Sequence, residues 1–216
     1  MDNFKIGYLD DDYSILRTMK RSLKKYDIEL VDLKAITDVS DVNILIDYIL
    51  DKQLECLFVD YDLMELDSKL YGTLVIKELN AVLPDFTCFL LTNYPEQGIS
   101  EKLVQKIFVQ DKSIFAEDDD SESFINFINK IKNSIECFRK RLSYNKEEYI
   151  KLLEKRKKEE LNSSEEEKFL MLYHILKGYQ YVDELPSVLL KSNTQEVLDC
   201  MLSTLNDLKQ SIRKEG

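Results

Sequence analysis

Histidine is almost missing from this 216-residue chain. His174 stands alone, which removes His-rich metal sites and most histidine-based catalysis. Glycine is scarce at five residues, and none forms a phosphate-cradling loop after the first apolar stretch, so a glycine-loop nucleotide site is not expected. The four cysteines (Cys56, Cys88, Cys137, Cys200) lie far apart without metal-ligand spacing. Cys56 and Cys88 fall at or within apolar strand-like runs, so buried free thiols are expected there. Long apolar runs are also absent. The opening "MDNFKIG" does not read as a signal peptide and nothing reads as a membrane span, so a cytoplasmic protein is expected.

Positive charge is short in one half only. Residues 1–131 carry 14 Lys/Arg against 26 Asp/Glu, whereas residues 132–216 carry 16 against 15. The acidic half argues against nucleic acid there, because phosphate contacts need a cationic surface. Two regions of different character follow.

What is present in the first region is repeated alternation. Apolar runs at 4–9, 29–36, 56–61, 87–92 and 106–110 read as strands, with helical patterns at 13–25, 41–53, 69–83 and 96–104. The runs "CLFVDY" and "TCFLLT" are nearly all apolar, as parallel strands covered on both faces are. An α/β fold is expected: a five-stranded parallel, doubly wound, flavodoxin-like sheet, followed by an all-α C-terminal region.

After "AEDDDSES", where Ser121 or Ser123 reads as a helix cap, Phe124, Ile128, Ile131, Ile135, Phe138, Leu142, Tyr149 and Leu152 recur at heptad-like steps. They predict one long helix over about 121–161, bridging a domain of residues 1–137 and a helical region of residues 138–216. A heptad seam of this length serves either a coiled-coil homodimer or ordinary core packing. Ser163 with Glu166 reads as a capping box for a second helix over 162–176, closed by Gly178. Val197, Met201, Leu205 and Leu208 share a further helical face. "EKRKKEE" is basic but flanked by acids, which reads as a solvated face rather than a DNA contact, and His174 reads as packing or surface.

The chemical signal lies where acids meet strand ends. Ligands of open parallel sheets bind beyond the carboxyl ends of the strands. Asp10 and Asp11 close the first strand, Asp60 the third and Thr92 the fourth, and Lys112 follows the fifth. Three carboxylates, a hydroxyl and an ammonium thus reach one edge. Asp12 reads as a helix-start or solvated acid.

The stretches "YLDDDYSILR", "LFVDYDL", "LLTN" and "VQDK", in that order over about residues 4–137, resemble the receiver domain of two-component response regulators. The resemblance implies that Asp10, Asp11, Asp60 and the backbone carbonyl of Asp62 serve Mg²⁺, with Asp10 acting through water. It implies that Asp60 accepts a phosphoryl group from a phosphohistidine, while Lys112 offsets charge and Thr92 senses the modification. The implied partners are a sensor histidine kinase or phosphotransfer protein and a downstream protein, with a homodimer through the long helix as a further option. The implied chemistry is limited to Mg²⁺-dependent autophosphorylation and autodephosphorylation, without other enzymatic turnover.

Departures from the family pattern are specific. Asn93 replaces a small residue, Ser113 replaces a proline, and Val109 replaces an aromatic. "YDLMELDSKLYG" lacks a proline and sets Gly72 late. These departures favour an alternative, a phosphorylation-independent pseudo-receiver acting as an interaction scaffold.

Overall fold

A computed structural model describes residues 3–33, 41–63 and 71–183. The apolar run at the start forms β1 (Phe4–Leu9), and the two nearly all-apolar runs form β3 (Cys56–Asp60) and β4 (Thr87–Thr92), every residue of both being buried. With β2 (Ile28–Asp32) and β5 (Val109–Asp111) they make one parallel sheet in the order β2-β1-β3-β4-β5. This is the flavodoxin-like order, whose direction reverses between β1 and β3 and opens a crevice at their carboxyl ends.

Helices α1 (Leu16–Lys24), α2 (Val42–Lys52), α3 (Gly72–Val82) and α4 (Pro95–Ser100) connect the strands. The long helix α5 runs from Glu122 to Arg156, and α6 spans Ser163–Gly178. Strand alternation divides the core. Tyr8, Phe58 and Phe89 face a cluster with Met19 and Leu23 of α1 and with Phe124, Phe127, Ile128, Ile131 and Ile135 of α5. Val59 points the other way, against the start of α3. Phe127 sits among Phe58, Phe89 and Phe115 with ring centroids 5.8–6.0 Å apart, and such aromatic pairs add roughly 0.5–1.5 kcal/mol each beyond burial.

The chain divides into two compact units, Met1–Leu142 and Ser143–Gly216. Most of the heptad seam is occupied by the chain itself: Phe124, Ile128, Ile131, Ile135 and Phe138 are buried within the first unit and Tyr149 and Leu152 within the second, while Leu142 is half-buried. In that second unit Tyr149 stacks on Phe169 at 5.0 Å, and Leu172, Tyr173 and Leu176 of α6 complete an apolar contact. No helix among the described residues is long and apolar enough to cross a membrane.

Several expected boundaries shift, each for a local reason. α1 begins at Leu16 rather than residue 13, because Asp12 accepts from the Ser14 N–H (2.8 Å) and holds a turn ahead of the helix. The fifth strand is not 106–110: a turn at Lys106–Phe108, closed by the Phe108 N–H on the Gln105 carbonyl, delays it to Val109. α4 stops at Ser100, short of residue 104, with Lys102 left-handed at φ 58°. The capping box of α6 is Asn162 with Glu165, one residue earlier than Ser163 with Glu166. Gly178 lies inside α6, and Gln180, not a glycine, takes the left-handed conformation beyond it. Ser121 does cap α5, accepting from the Phe124 N–H. Residues 34–36, 69–70 and the face of Val197, Met201, Leu205 and Leu208, together with Cys200, lie outside the described residues.

Candidate functional site

β1 and β3 are neighbours in register (Leu9 opposite Val59), so the residues at their carboxyl ends, Asp10 and Asp60, are delivered side by side. One carboxylate oxygen from each of Asp10, Asp11 and Asp60 lies within 4.8 Å of the others. Asp10 is fully buried and Asp60 is 8% exposed. Lys112, in the first turn after β5, reaches back across both strands. Its Nζ lies 2.7 Å from Asp10 Oδ2 and 2.8 Å from Asp60 Oδ1.

Two buried acids share one ammonium, and the electrostatics show the deficit. Burial pushes the Asp60 carboxyl up to about 6; the neighbouring Asp10 charge adds to the rise, and Lys112 holds it back only in part. For Lys112, burial pulls downward, but hydrogen bonds to Asp10 and Asp60 prevail and raise it above the ordinary lysine value. Counting Asp11, three carboxylates face one ammonium.

Other residues hold this edge in place. Thr92 ends β4 opposite Asp111 and is 1% exposed, its Oγ1 accepting from the Tyr94 N–H at 2.9 Å. Asp111 accepts from the Ser113 N–H (2.8 Å) and so caps the turn that starts at Lys112. Asp12 is exposed, bonded to Ser14 and not a member of the triad, in keeping with its helix-start or solvated reading. Asn93 is exposed and borders, with Asp12, Lys112 and Ser113, a cavity of about 440 Å³. Val109 is half-buried in β5, and the aromatic beside it, Phe108, packs edge-on to Phe89 at 5.4 Å. His174 is exposed on α6.

The Asp62 side chain is exposed and does not belong to the carboxylate triad. Its backbone forms an antiparallel bridge with Tyr71, and beside it the Gly72 N–H donates to the Tyr61 carbonyl at 2.8 Å. Gly72 is required at that position: a Cβ there would stand 1.9 Å from the Asp60 carbonyl oxygen. The late glycine of "YDLMELDSKLYG" is therefore the residue that lets α3 start against the back of Asp60. Sequence reasoning noted its displacement but not this contact.

Two tyrosines were also missed. Tyr8 is fully buried and donates its hydroxyl to Asp10 Oδ2. Tyr13 packs edge-on to Tyr8 at 5.7 Å. The pairing of Tyr8 with Asp10 had a signal, because residues two apart on a strand share a face.

The donor set suits a hard divalent cation. All candidate ligands are oxygens, and their charge exceeds that of Lys112. The 4.8 Å span is close to the roughly 4.2 Å across an octahedral Mg²⁺ with 2.0–2.1 Å bonds, leaving room for one carboxylate to act through water.

No protein-family model matches the chain, and no curated protein matches it. Among solved structures it is similar to a response regulator receiver domain protein from Clostridium thermocellum, at 18% identity and a TM-score of 0.44, over 64% of this chain and 98% of that one. The fold assignment rests on the strand order and register, and the site on its own distances.

Proposed function

We propose that the chain is a response-regulator receiver that accepts a phosphoryl group on Asp60 and signals through its helical C-terminal region. One observation carries this reading: Lys112 bridges Asp10 and Asp60 at 2.7 and 2.8 Å inside an edge that also holds Asp11. Asp11 and Asp60 would hold Mg²⁺ directly, Asp10 through water, and the Asp62 carbonyl would complete the set. The bound ion supplies charge neutralisation at the phosphoryl oxygens.

An Asp60 oxygen attacks the phosphorus of a donor phosphohistidine. The phosphorus–nitrogen bond breaks, and the departing imidazole takes a proton from solvent. Lys112 turns its ammonium from the Asp60 carboxylate to the incoming phosphoryl oxygens, giving positive charge where negative charge gathers. Thr92 Oγ1 accepts from the Tyr94 N–H, and its hydroxyl proton would donate to the phosphoryl group. Hydrolysis of the aspartyl phosphate resets the site, and no other turnover is assigned.

The donor is a sensor histidine kinase or a phosphotransfer protein in the cytoplasm, and the readout is a downstream protein. A homodimer through α5 would use faces other than the seam, which the chain's own residues occupy, and Tyr144 and Ile150 offer exposed apolar surface there. DNA is disfavoured. In the basic stretch Lys155 pairs with Glu165, and the Arg156 guanidinium lies over Phe169, so these cations are engaged within the unit.

Incubation with Mg²⁺ and acetyl phosphate, followed by intact-mass measurement, tests the proposal. The expected result is one added phosphoryl group, lost in Asp60→Ala. An unmodified mass where a control receiver is labelled overturns it. A phosphorylation-independent scaffold instead predicts that Asp60→Ala leaves partner binding and oligomeric state unchanged.

A further inference from the structure

Asp10 is more heavily engaged than a simple ligand carboxylate. Its Oδ1 accepts the Asp12 N–H at 2.8 Å, and its Oδ2 accepts both Lys112 Nζ, at 2.7 Å, and the Tyr8 hydroxyl. Three of about four acceptor positions on the carboxylate are thus taken by protein donors. Tyr8 and Asp10 are each fully buried, so water does not supply the Tyr8 contribution. The ring of Tyr8 is itself held, edge-on to Tyr13 at 5.7 Å.

We infer that Tyr8 is a positioning residue that locks Asp10 as a non-coordinating acid and moderates the affinity of the neighbouring Asp11–Asp60 edge for a divalent cation. The inference rests on the cation-binding reading proposed above. Its physical basis is a difference between two states. Without the ion, the Tyr8 hydrogen bond offsets an Asp10 charge that only Lys112 and one N–H otherwise balance. With the ion nearby, the same charge is already offset, so the hydrogen bond contributes less. Tyr8 therefore stabilises the ion-free state more than the ion-bound state.

Removing the hydroxyl should tighten binding. Hydrogen bonds to charged groups are among the stronger ones, and only the part lost on ion binding counts, so Tyr8→Phe should strengthen Mn²⁺ or Mg²⁺ binding by roughly three- to tenfold. A purely structural tyrosine would lower thermal stability equally with and without the ion and leave affinity unchanged.

The experiment titrates the full chain with Mn²⁺ by electron paramagnetic resonance and with Mg²⁺ by calorimetry, in wild type, Tyr8→Phe, Asp10→Asn and the double variant. The expected result is tighter binding in Tyr8→Phe and a much smaller effect of that change in the Asp10→Asn background. Unchanged or weaker binding in Tyr8→Phe, with wild type binding normally, overturns the inference alone. Absence of ion binding by wild type overturns the cation reading and the inference with it. If Tyr8→Phe does not fold, the hydroxyl proton of Tyr8 is followed by NMR in the wild-type protein. Its resonance should move on Mg²⁺ addition, and a resonance that stays fixed at saturation overturns the inference.

Discussion

The two ends of the sheet hold buried or half-buried charge on opposite terms. At the amino end, Glu55 ahead of β3 receives both Nε and Nη2 of Arg139 from α5, the latter at 2.7 Å, and the guanidinium lies 4.9 Å above the Phe4 ring. That pairing is one cation to one acid, forked and braced. At the carboxyl end, Lys112 serves Asp10 and Asp60 together with Asp11 close by. A matched pair ties α5 to the sheet. An unmatched set leaves negative charge that a cation or a phosphoryl-transfer reaction can use. Stoichiometry of charge, more than burial or distance, separates the structural end from the chemical one.

The contrast breaks most completely with Asp60→Asn. It should abolish acetyl-phosphate labelling in intact-mass measurements, while Glu55→Gln leaves labelling intact. Next in size is Lys112→Met, which strands two neighbouring buried carboxylates. Urea unfolding without divalent ions should show a loss of about 3–5 kcal/mol, partly restored by Mg²⁺.

A smaller effect follows from pH. Asp60 is pushed up to about 6 in the folded chain, above its ordinary value, so its proton is bound more tightly in the folded than in the unfolded state. The protonated form therefore stabilises the fold. That contribution is complete below a pH of about 4 and disappears as pH rises through about 6, a fall of at most about 3 kcal/mol. Urea midpoints of the metal-free protein should drop across this window. Asp60→Asn or saturating Mg²⁺ should flatten the drop. The smallest change is expected at the matched end, where Arg139→Met should cost about 1–2 kcal/mol and leave cation binding as it is.

The sheet was legible because its strands are marked by apolar runs ending in polar residues, and β1 and β4 begin and end where their runs do. The convergence of Asp10, Asp11, Asp60 and Lys112 was legible for the same reason, since parallel strands deliver their last residues to one edge. Short, weakly apolar segments were not. β5 has three residues paired only to Leu90–Thr92, so a single turn at Phe108 was enough to displace it. The α6 cap slipped by one because Asn162 and Ser163 are both good cap residues, each followed three positions on by a glutamate; only the geometry chose. The seam of α5 carried the right residues but not their partner, because a period of apolar positions does not say whether its own chain or another copy covers it. Gly72 and Tyr8 act through contacts with residues distant in sequence or on a shared strand face, which composition does not register.

The bridge between Asp62 and Tyr71, closed by the Gly72 N–H on the Tyr61 carbonyl, has a use in protein engineering. Chain added between those two residues enters and leaves through one fixed doorway, and each doubling of its length costs only about 0.6 kcal/mol. A fluorescent reporter or epitope could be grafted there, with its linkers anchored a few residues from Asp60 and Asp60 itself left in register with β4.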